Sequence, residues 1–367
     1  MHILFFLNGL TTGGAERVTA NLCNHWAKAG HEVTIVTLKP TSEDQFELHP
    51  SIRRMVLGRN RPSRTAFHGF VNNALRLRDL RRCIADLRPD VAISMMVTAN
   101  CLLALTGSDC ICIGSERLHP PAQPINRFWN LLRKRVYRHL DVVVAQTHQS
   151  AEWLSQHTNA KNITVIPNPI VLPLPDNDPN VAIEDYIKPD RNLVLAVGRL
   201  VPQKGFLDLI GIFAKVRNLY PNWDLTILGE GPDHKSLEHA ANSIGMADRV
   251  ILPGRVGNLS DWYNRADILA LTSFSEGFPN ALLEAMAHGA AVISYDCPTG
   301  PSDLITDQTN GLLIPLGKEE HFQAKLGLLM QDAALRRRLG NAAKNDASAF
   351  EIGHIAGLWE AHFAPPD

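Results

Sequence analysis

The chain has 367 residues and a net charge of −1, with 45% hydrophobic and 20% charged residues. These values are typical of a globular protein, and no apolar run approaches the roughly 20 residues that span a bilayer, which excludes a transmembrane helix. The length exceeds what one hydrophobic core usually serves, so we expect two domains.

The first half of the chain alternates apolar strands with helical stretches. Stretch 2–7 has no basic leader and therefore predicts a buried strand rather than a signal peptide. Apolar residues at a 3.6-residue period predict a helix over 17–29, which Gly30 ends. Further buried strands are predicted at 33–38, 90–94, 111–114 and 142–145.

A proline-rich stretch follows the predicted strand at 163–169. Pro169, Pro173, Pro175 and Pro179 interrupt regular structure, so we expect the interdomain linker there. A second set of elements then begins, with predicted strands at 193–197, 224–228, 250–252, 268–271 and 291–295, and helices at 205–219, 232–244 and 280–288.

Strand–helix alternation in two blocks predicts two doubly wound α/β domains. We expect the first domain at 1–168 and the second at 169–349. The helical spacing of apolar residues in 347–363 predicts a C-terminal helix, within 350–367, that returns to close the first domain.

Charge is unevenly divided between the two halves. Residues 1–165 hold 20 Lys and Arg against 12 Asp and Glu, a net +8, and residues 166–367 hold 16 against 25, a net −9. Much of the excess comes from Arg53, Arg54, Arg59, Arg61, Arg64, Arg76, Arg78, Arg81, Arg82 and Arg88. Such a stripe fits an anionic membrane surface or a pyrophosphate-linked partner, and equally a solvated arginine-rich face. No aromatic residues are interleaved with it, so a nucleic-acid partner is not expected.

The six cysteines form no Cys-x-x-Cys pair and no cluster with zinc spacing. This pattern predicts reduced thiols and a cytoplasmic protein. We expect no metal and no cofactor.

The loop 8–17 follows the first predicted strand and opens the first helix. Its adjacent Gly13 and Gly14 allow a ligand to approach the backbone, and the helix N-terminus favours an anion. The spacing does not match Gly-x-Gly-x-x-Gly, and a tight turn without a ligand would have the same sequence.

Two cations follow the predicted strand 193–197. Arg199 and Lys204 lie at the carboxyl end of that strand, where ligands bind in open α/β sheets. Arginine and lysine both bind phosphate oxygens, so we expect a phosphate site here rather than two surface charges.

Segment 273–284 contains two glutamates eight positions apart. Gly277 and Pro279 shape a turn after Glu276, and Asn280 is expected to cap a helix whose first amides, those of Phe278, Asn280 and Ala281, point towards Glu276. Glu284 lies on an otherwise apolar helix, where a carboxylate needs a partner. We expect Glu276 to bind sugar hydroxyls, the helix N-terminus to bind phosphate, and Glu284 to bind a ribose.

With these motifs the chain resembles the retaining glycosyltransferases of family 4, which have the GT-B fold of two Rossmann-like domains facing across a cleft. The resemblance rests on Gly13-Gly14-Ala-Glu-Arg17, Ile166-Pro-Asn-Pro169, Gly198-Arg199, Lys204-Gly205, Gly229-Glu-Gly-Pro232 and the Glu276–Glu284 pair, which matches the Glu-x7-Glu signature of the family.

The resemblance implies a role for each of these residues. Arg199 and Lys204 would bind the donor diphosphate, Glu276 the donor sugar, and the loop 277–281 both. Glu284 would bind the ribose, the backbone near Val256 would bind the nucleobase, and Gly13 and Gly14 would leave room for the pyrophosphate.

One stretch departs from the commonest pattern of the family, in which a histidine follows the fourth strand of the first domain. Here Gly114-Ser-Glu-Arg-Leu-His119 places Arg117 at that position. This form is similar to a subgroup that builds bacterial surface polysaccharides and lipid-linked oligosaccharides. Glu116 and Arg117 are expected at the sugar end of the site, with His119 as an alternative contact.

The sequence therefore predicts transfer of a hexose or N-acetylhexosamine, with retention, from a UDP-linked donor to a lipid-linked or oligosaccharide acceptor. We expect protein cations to replace a divalent metal, and the leaving phosphate to accept the acceptor's proton. Location at the inner face of the plasma membrane and peripheral contact with anionic lipid are further expectations.

Three other functions remain open from the sequence. Paired glutamates also occur in glycosidases, although eight positions of helix span roughly 12 Å, more than the 5–9.5 Å between glycosidase carboxyl groups. A sugar-nucleotide 2-epimerase shares the two-domain layout. A non-catalytic protein that binds a nucleotide sugar or glycan would keep the same donor residues.

Overall fold

The computed structural model describes residues 1–11, 13–58, 65–122 and 125–364. The chain divides into two compact units, one comprising Met1–Pro169 with Ile352–Asp367 and the other Ile170–Glu351. The predicted division follows residue 168, and the predicted return to the first domain begins at residue 350.

Among its described residues, the first unit has a seven-stranded parallel sheet in the order β3-β2-β1-β4-β5-β6-β7. The strands are β1 (His2–Leu7), β2 (Glu32–Thr37), β3 (Arg53–Val56), β4 (Val91–Met95), β5 (Ile111–Ser115), β6 (Val142–Ala145) and β7 (Ile163–Val165). The central strands are buried on both faces, which is why most of their residues are apolar.

Helices cover both faces of this sheet and leave two apolar clusters, one on each side. They are α1 (Gly14–Lys28), α2 (Ala66–Leu87), α3 (Val97–Ala104), α4 (Arg127–Val136) and α5 (His148–His157).

The second unit repeats the architecture with a six-stranded parallel sheet among its residues, in the order β10-β9-β8-β11-β12-β13. The strands are β8 (Asn192–Val197), β9 (Trp223–Leu228), β10 (Val250–Gly254), β11 (Ile268–Leu271), β12 (Ala291–Asp296) and β13 (Leu312–Pro315). The helices are α6 (Phe206–Val216), α7 (His234–Ser243), α8 (Leu259–Arg265), α9 (Asn280–Ala287), α10 (Pro301–Leu304), α11 (Glu319–Gln331) and α12 (Ala333–Ala347).

The last helix, α13 (Ile352–Glu360), belongs to the first unit. Trp359 is fully buried in the apolar cluster that also contains Trp26 and Phe363, and the Trp26 indole donates to Glu360 Oε1 at 2.7 Å. The predicted helix over 347–363 is in fact split, because α12 extends to Ala347 and a short 3-10 turn precedes α13.

The proline stretch is not a free linker. Ile170 and Leu174 are buried in a core cluster of the second unit, and the Ile170 amide donates to Phe350 O at 2.7 Å. The predicted linker is therefore wrong in extent, because apolar residues between the prolines pack against the second unit.

In each sheet the order of the strands reverses once. The reversal lies between β1 and β4 in the first unit and between β8 and β11 in the second. Ligands in doubly wound folds bind outside the carboxyl ends of the strands at such a switch point. No helix in the described ranges is both long and apolar enough to cross a membrane.

Candidate active site

The loops that follow β8 and β11 meet at the switch point of the second unit. Lys204, at the end of the β8 loop, donates from Nζ to Glu276 Oε1, in the β11 loop, at 2.6 Å. Glu276 is buried and the Lys204 side chain is one-fifth exposed, so the pair lies at the edge of the protein interior. A cation and a carboxylate are thus held side by side at the carboxyl end of the sheet.

Backbone contacts hold these two loops together. The Phe274 amide donates to Gln203 O at 2.8 Å, and Gln203 Nε2 donates to Ser275 O at 2.6 Å. Gly205 has φ +64°, and a Cβ there would lie 2.2 Å from Thr272 O. Only glycine therefore permits this approach of the two loops.

The β9 loop packs against the β8 loop in the same way. A Cβ at Gly229, which has φ +140°, would lie 1.9 Å from Gly198 O, and one at Gly231 would lie 2.2 Å from Leu200 O. The glycines of the Gly229-Glu-Gly-Pro232 motif thus set the path of the segment that carries Arg199. The side chain of Arg199 is exposed and forms no hydrogen bond or ion pair with the described residues, and its backbone carbonyl accepts from the Val201 amide at 2.9 Å.

Helix α9 begins immediately after Glu276. The helix starts at Asn280 with Pro279 in the cap position, and no side chain caps it. The prediction that Asn280 caps the helix and offers a free amide is wrong, because its amide donates to Phe278 O at 3.0 Å. The amides of Gly277, Phe278 and Ala281 have no backbone acceptor in the part of the chain that the structure describes. These three donors remain for an anion.

A further loop, after β12, supports Glu276. The Thr299 hydroxyl donates to the backbone carbonyl of Glu276. Thr299 has φ +69°, an unusual conformation for a threonine, and a Cβ at Gly300 would lie 2.5 Å from Pro279 Cδ. In the sequence, this loop contains the pair Thr299-Gly300, which follows β12, the strand next to β11.

Glu284 is buried one turn into α9. Its Oε2 accepts from the Tyr263 hydroxyl at 2.9 Å, so the carboxylate has the partner that its burial requires. Val256 is buried in an apolar cluster after β10, and its neighbour Gly257 donates to Pro179 O at 2.7 Å. A Val256 contact with a nucleobase would have to come from its backbone, as the sequence analysis expects.

In the first unit, Gly13 and Gly14 lie where β1 leads into α1. Gly14 is the first residue of the helix and Gly13 is its cap, and a Cβ at Gly13 would lie 2.2 Å from Glu16 Oε2. Burial raises the pKa of the Glu16 carboxyl. A side chain at position 13 would thus meet only the flexible end of Glu16, and the extended φ of −171° at this position does not itself need a glycine.

Glu116 and Arg117, predicted together at the sugar, have separate environments. Glu116 is buried and accepts from the Tyr137 hydroxyl at 2.6 Å and from Arg133 at 3.5 Å, on the side of α3 and α4. Arg117 is buried and donates to Asn168 Oδ1 and to Ser115 Oγ. His119 Nδ1 lies 3.2 Å from Ser150 Oγ. Successive residues in extended chain point to opposite sides, which the sequence analysis did not apply here.

Two family models match the chain, in the order of its units. The model for glycosyltransferase family 4 matches residues 12–172, and that for glycosyl transferases group 1 matches residues 182–346. A relative from Campylobacter jejuni, GalNAc-α-(1→4)-GalNAc-α-(1→3)-diNAcBac-PP-undecaprenol α-1,4-N-acetyl-D-galactosaminyltransferase, is 30% identical over 362 residues, which are 98% of this chain and 97% of the relative.

The chain belongs to glycosyltransferase family 4.

Solved structures show the same fold. Sucrose-phosphate synthase from Thermosynechococcus elongatus matches with a TM-score of 0.82 at 20% identity, over 98% of this chain and 97% of that chain. HepE from Anabaena, solved in complex with UDP and glucose, matches with a TM-score of 0.79 at 19% identity, over 98% of each chain. The prediction of a GT-B fold is confirmed.

In this glycosyltransferase, most of the residues predicted to bind the donor lie together, and Glu284 lies apart from them. Lys204, Glu276 and the amides of 277, 278 and 281 meet at one edge of the second sheet, and Arg199 projects from the same β8 loop. Glu284 lies on the following helix, directed to Tyr263. A cation beside free amides can stabilise a departing diphosphate, and the adjacent carboxylate can accept hydrogen bonds from a sugar.

The basic residues of the first half of the chain have different environments in the structure. Arg54 forms an ion pair with Asp44 at 2.8 Å, and Arg81 donates to the carbonyls of Leu105 and Thr106, so neither is a purely solvated charge. Arg76 and Arg78 also lie on α2. Arg59, Arg61 and Arg64 lie outside the described residues.

Proposed function

We propose that this protein is a retaining glycosyltransferase that moves a hexose or N-acetylhexosamine from a UDP-sugar to a lipid-linked glycan, in the synthesis of a cell-surface polysaccharide. The observation that carries the proposal is the Lys204–Glu276 pair next to the amides of Gly277, Phe278 and Ala281. Together they offer the two kinds of group that the donor requires, positive groups for its diphosphate and a carboxylate for its sugar.

The chemistry of the leaving group supports a role for Lys204. As the sugar departs, negative charge develops on the β-phosphate, and preorganised positive groups lower the barrier because they need no reorganisation. Lys204 is held by Glu276 and by the loop contacts around Gly205, so it is preorganised in this sense. Arg199, Lys204 and the amides would replace a divalent metal here, and the leaving phosphate would accept the proton of the acceptor hydroxyl.

Glu276 is placed to position the donor sugar. Its carboxylate has Lys204 as counter-ion, and its carbonyl is held by Thr299, so the side chain has a fixed direction. An ionised carboxylate accepts hydrogen bonds from two sugar hydroxyls. A UDP donor is supported by the fold match to HepE, which was solved with UDP and glucose.

A lipid-linked acceptor is supported by the Campylobacter relative, whose name specifies an undecaprenyl diphosphate-linked glycan. The net +8 charge of residues 1–165 agrees with an anionic, pyrophosphate-bearing acceptor on the first unit. Peripheral contact with anionic lipid at the inner face of the plasma membrane would follow from such an acceptor.

The test is a donor and acceptor matrix. The purified protein is incubated with a panel of UDP-sugars, with and without an undecaprenyl-diphosphate glycan, and the products are separated by mass and anomeric configuration. We expect acceptor-dependent release of UDP, an α-linked product from an α-linked donor, and loss of transfer in Glu276→Gln with the melting temperature kept.

Each alternative gives a different result in the same matrix. Conversion of the donor without acceptor would indicate an epimerase, and release of free sugar from a glycan without UDP a glycosidase. Binding of UDP without any turnover of the panel would indicate a non-catalytic binding protein. An inverted product would overturn the retaining mechanism while leaving the transferase intact.

A further inference from the structure

Arg117 lies just beyond the end of β5 and is only 5% exposed. Its guanidinium donates to Asn168 Oδ1 and, at 3.2 Å, to Ser115 Oγ, both of them neutral oxygens. The carboxylate of the adjacent Glu116 binds Tyr137 and Arg133 instead. No ion pair to Arg117 is present among the described residues, so this buried cation has no counter-charge.

The burial of this cation changes the pKa of the Arg117 guanidinium. Burial alone lowers the pKa of Arg117 to about 9, with no carboxylate to oppose the shift. A group whose pKa is lower in the folded than in the unfolded state destabilises the fold while it is protonated, here at every pH below about 9. Buried charges in proteins are paired as a rule, and an unpaired one indicates that a ligand supplies the partner.

Two polar atoms of this cluster have no hydrogen-bond partner in the part of the chain that the structure describes. They are Arg117 Nε, a donor, and Gln146 Oε1, an acceptor, both buried. Gln146 Nε2 and Arg117 both donate to Asn168 Oδ1, so the three side chains form one group. They follow the adjacent strands β5, β6 and β7 at the carboxyl edge of the first sheet, where ligands of such sheets bind.

We propose that Arg117, with Gln146 and Asn168, binds an oxyanion of the acceptor, a phosphate or a carboxylate. The proposal rests on the proposed function and adds to it that the acceptor carries a negative charge that the first unit binds. The donor diphosphate has its own cations, Arg199 and Lys204, in the second unit, which leaves the acceptor as the source of this anion. Arg117 Nε would donate to the oxyanion, and Gln146 Oε1 would accept from a neighbouring hydroxyl.

The first experiment compares Arg117→Met with Arg133→Met in the ligand-free protein. Arg133 is equally buried, but it pairs with Glu116 and lies over the Trp153 ring at 4.6 Å. Arg117→Met removes an uncompensated charge and leaves Asn168 bonded to Gln146, so we expect an unchanged or higher melting temperature at pH 7.5. Arg133→Met leaves Glu116 without its cation and should therefore lower the melting temperature. A fall for Arg117→Met as large as that for Arg133→Met would make Arg117 a structural residue and overturn the proposal.

The second experiment detects the anion without turnover. In an Arg199→Gln/Lys204→Gln background, which removes the donor cations, inorganic pyrophosphate and D-glucuronate are titrated while the melting temperature is recorded. We expect one of the two probes to raise the melting temperature, and we expect Arg117→Gln to abolish this rise. Pyrophosphate as the effective probe indicates a phosphate-bearing acceptor, and glucuronate an acidic sugar. No rise with either probe would contradict the proposal.

Kinetics with the intact donor site complete the test. Arg117→Gln should raise KM for the acceptor about 10- to 100-fold, the usual effect of losing a charge-assisted hydrogen bond, with KM for the donor unchanged. An effect on the donor alone would assign Arg117 to the donor and overturn the proposal. Failure of transfer by the wild type, with the anion response retained, would instead count against the proposed function.

Discussion

Lys204 and Glu276 are 72 positions apart in the chain and join the β8 and β11 loops of the second unit by a hydrogen bond of 2.6 Å. Their pairing keeps a cation in place before any substrate binds. Such a pair contributes little to stability when it is partly exposed, so its value lies in positioning charge.

Lys204→Met should therefore lower kcat/KM for the donor about 100- to 1000-fold, as loss of a preorganised transition-state donor does. Lys215→Met is the matched control, because Lys215 also pairs with a glutamate, Glu319, at 2.5 Å, but on the exposed surface. Steady-state kinetics of both variants checks the prediction. Equal activity of the two would show that the Lys204 pair has no catalytic role.

Cys110 should react with alkylating reagents before the other cysteines. Hydrogen bonding with Cys112 and Ser108 stabilises its thiolate and lowers the pKa of Cys110 to about 7, and the residue is partly exposed. Burial raises the pKa of Cys83 to about 11 and that of Cys101 to about 12.

Because the thiolate is the reactive form, the rate of iodoacetamide labelling at Cys110 should rise from pH 6 to pH 8 and level off above it. Peptide mapping after brief labelling at pH 7.5 identifies the site. Labelling of Cys101 or Cys83 ahead of Cys110 would be inconsistent with these environments.

At the scale of elements, three loops of the second unit are held in contact by glycines. Gly205→Ala places a Cβ 2.2 Å from Thr272 O, and backbone atoms cannot move aside as a flexible side chain can. Gly245→Ala is a matched control, since Gly245 has nearly the same φ, +66°, with no atom within 4 Å of the added Cβ.

Both substitutions carry the left-handed backbone cost of about 1–2 kcal/mol, and only Gly205→Ala adds the steric conflict. We expect Gly205→Ala to unfold at lower urea and to weaken UDP binding at least tenfold, while Gly245→Ala keeps its UDP affinity. Urea titration and calorimetry measure the two effects. Identical UDP affinities would mean that the loop contact does not form the donor site.

The strands predicted with their observed bounds are buried, and two elements that are partly exposed were missed. Strands β1, β6 and β11 were predicted with their observed bounds because each is a continuous apolar run. Strand β3 was missed because it is a half-exposed edge strand beginning with Arg53 and Arg54. Helix α2 was missed because its arginines were interpreted only as a charge stripe.

The site was predictable where it depends on strand order and unpredictable where it depends on side-chain direction. Lys204 and Glu276 each follow a strand of one parallel sheet, so their meeting follows from topology. The partners of Glu116 and Arg117, and the support of Glu276 by Thr299, arise from contacts between distant segments. Such contacts leave no periodic signal in the sequence.

At the scale of the whole molecule, the chain ends in the unit where it began. Trp359 of α13 is fully buried in the first unit, whereas its neighbour Leu358 is 36% exposed. Trp359→Ala should destabilise the first unit by about 3–5 kcal/mol, the usual effect of removing a buried tryptophan side chain.

Leu358→Ala, on the same turn of α13, should change stability by no more than about 0.5 kcal/mol. Urea unfolding followed by hydrogen exchange distinguishes the units, and we expect the loss of protection for Trp359→Ala in β1 and α1. A loss confined to β8–β13 would show that α13 stabilises the second unit instead.

The central claim is that the switch point of the second unit binds a nucleoside diphosphate through Arg199, Lys204 and the amides of Gly277, Phe278 and Ala281. The most direct measurement is the dissociation constant of UDP for the wild type and for Arg199→Gln, by isothermal titration calorimetry. Arg199 is exposed and makes no contact that the fold needs, so the variant should fold normally. We predict UDP binding about 10- to 100-fold weaker in Arg199→Gln. Equal dissociation constants in the two proteins would contradict the account.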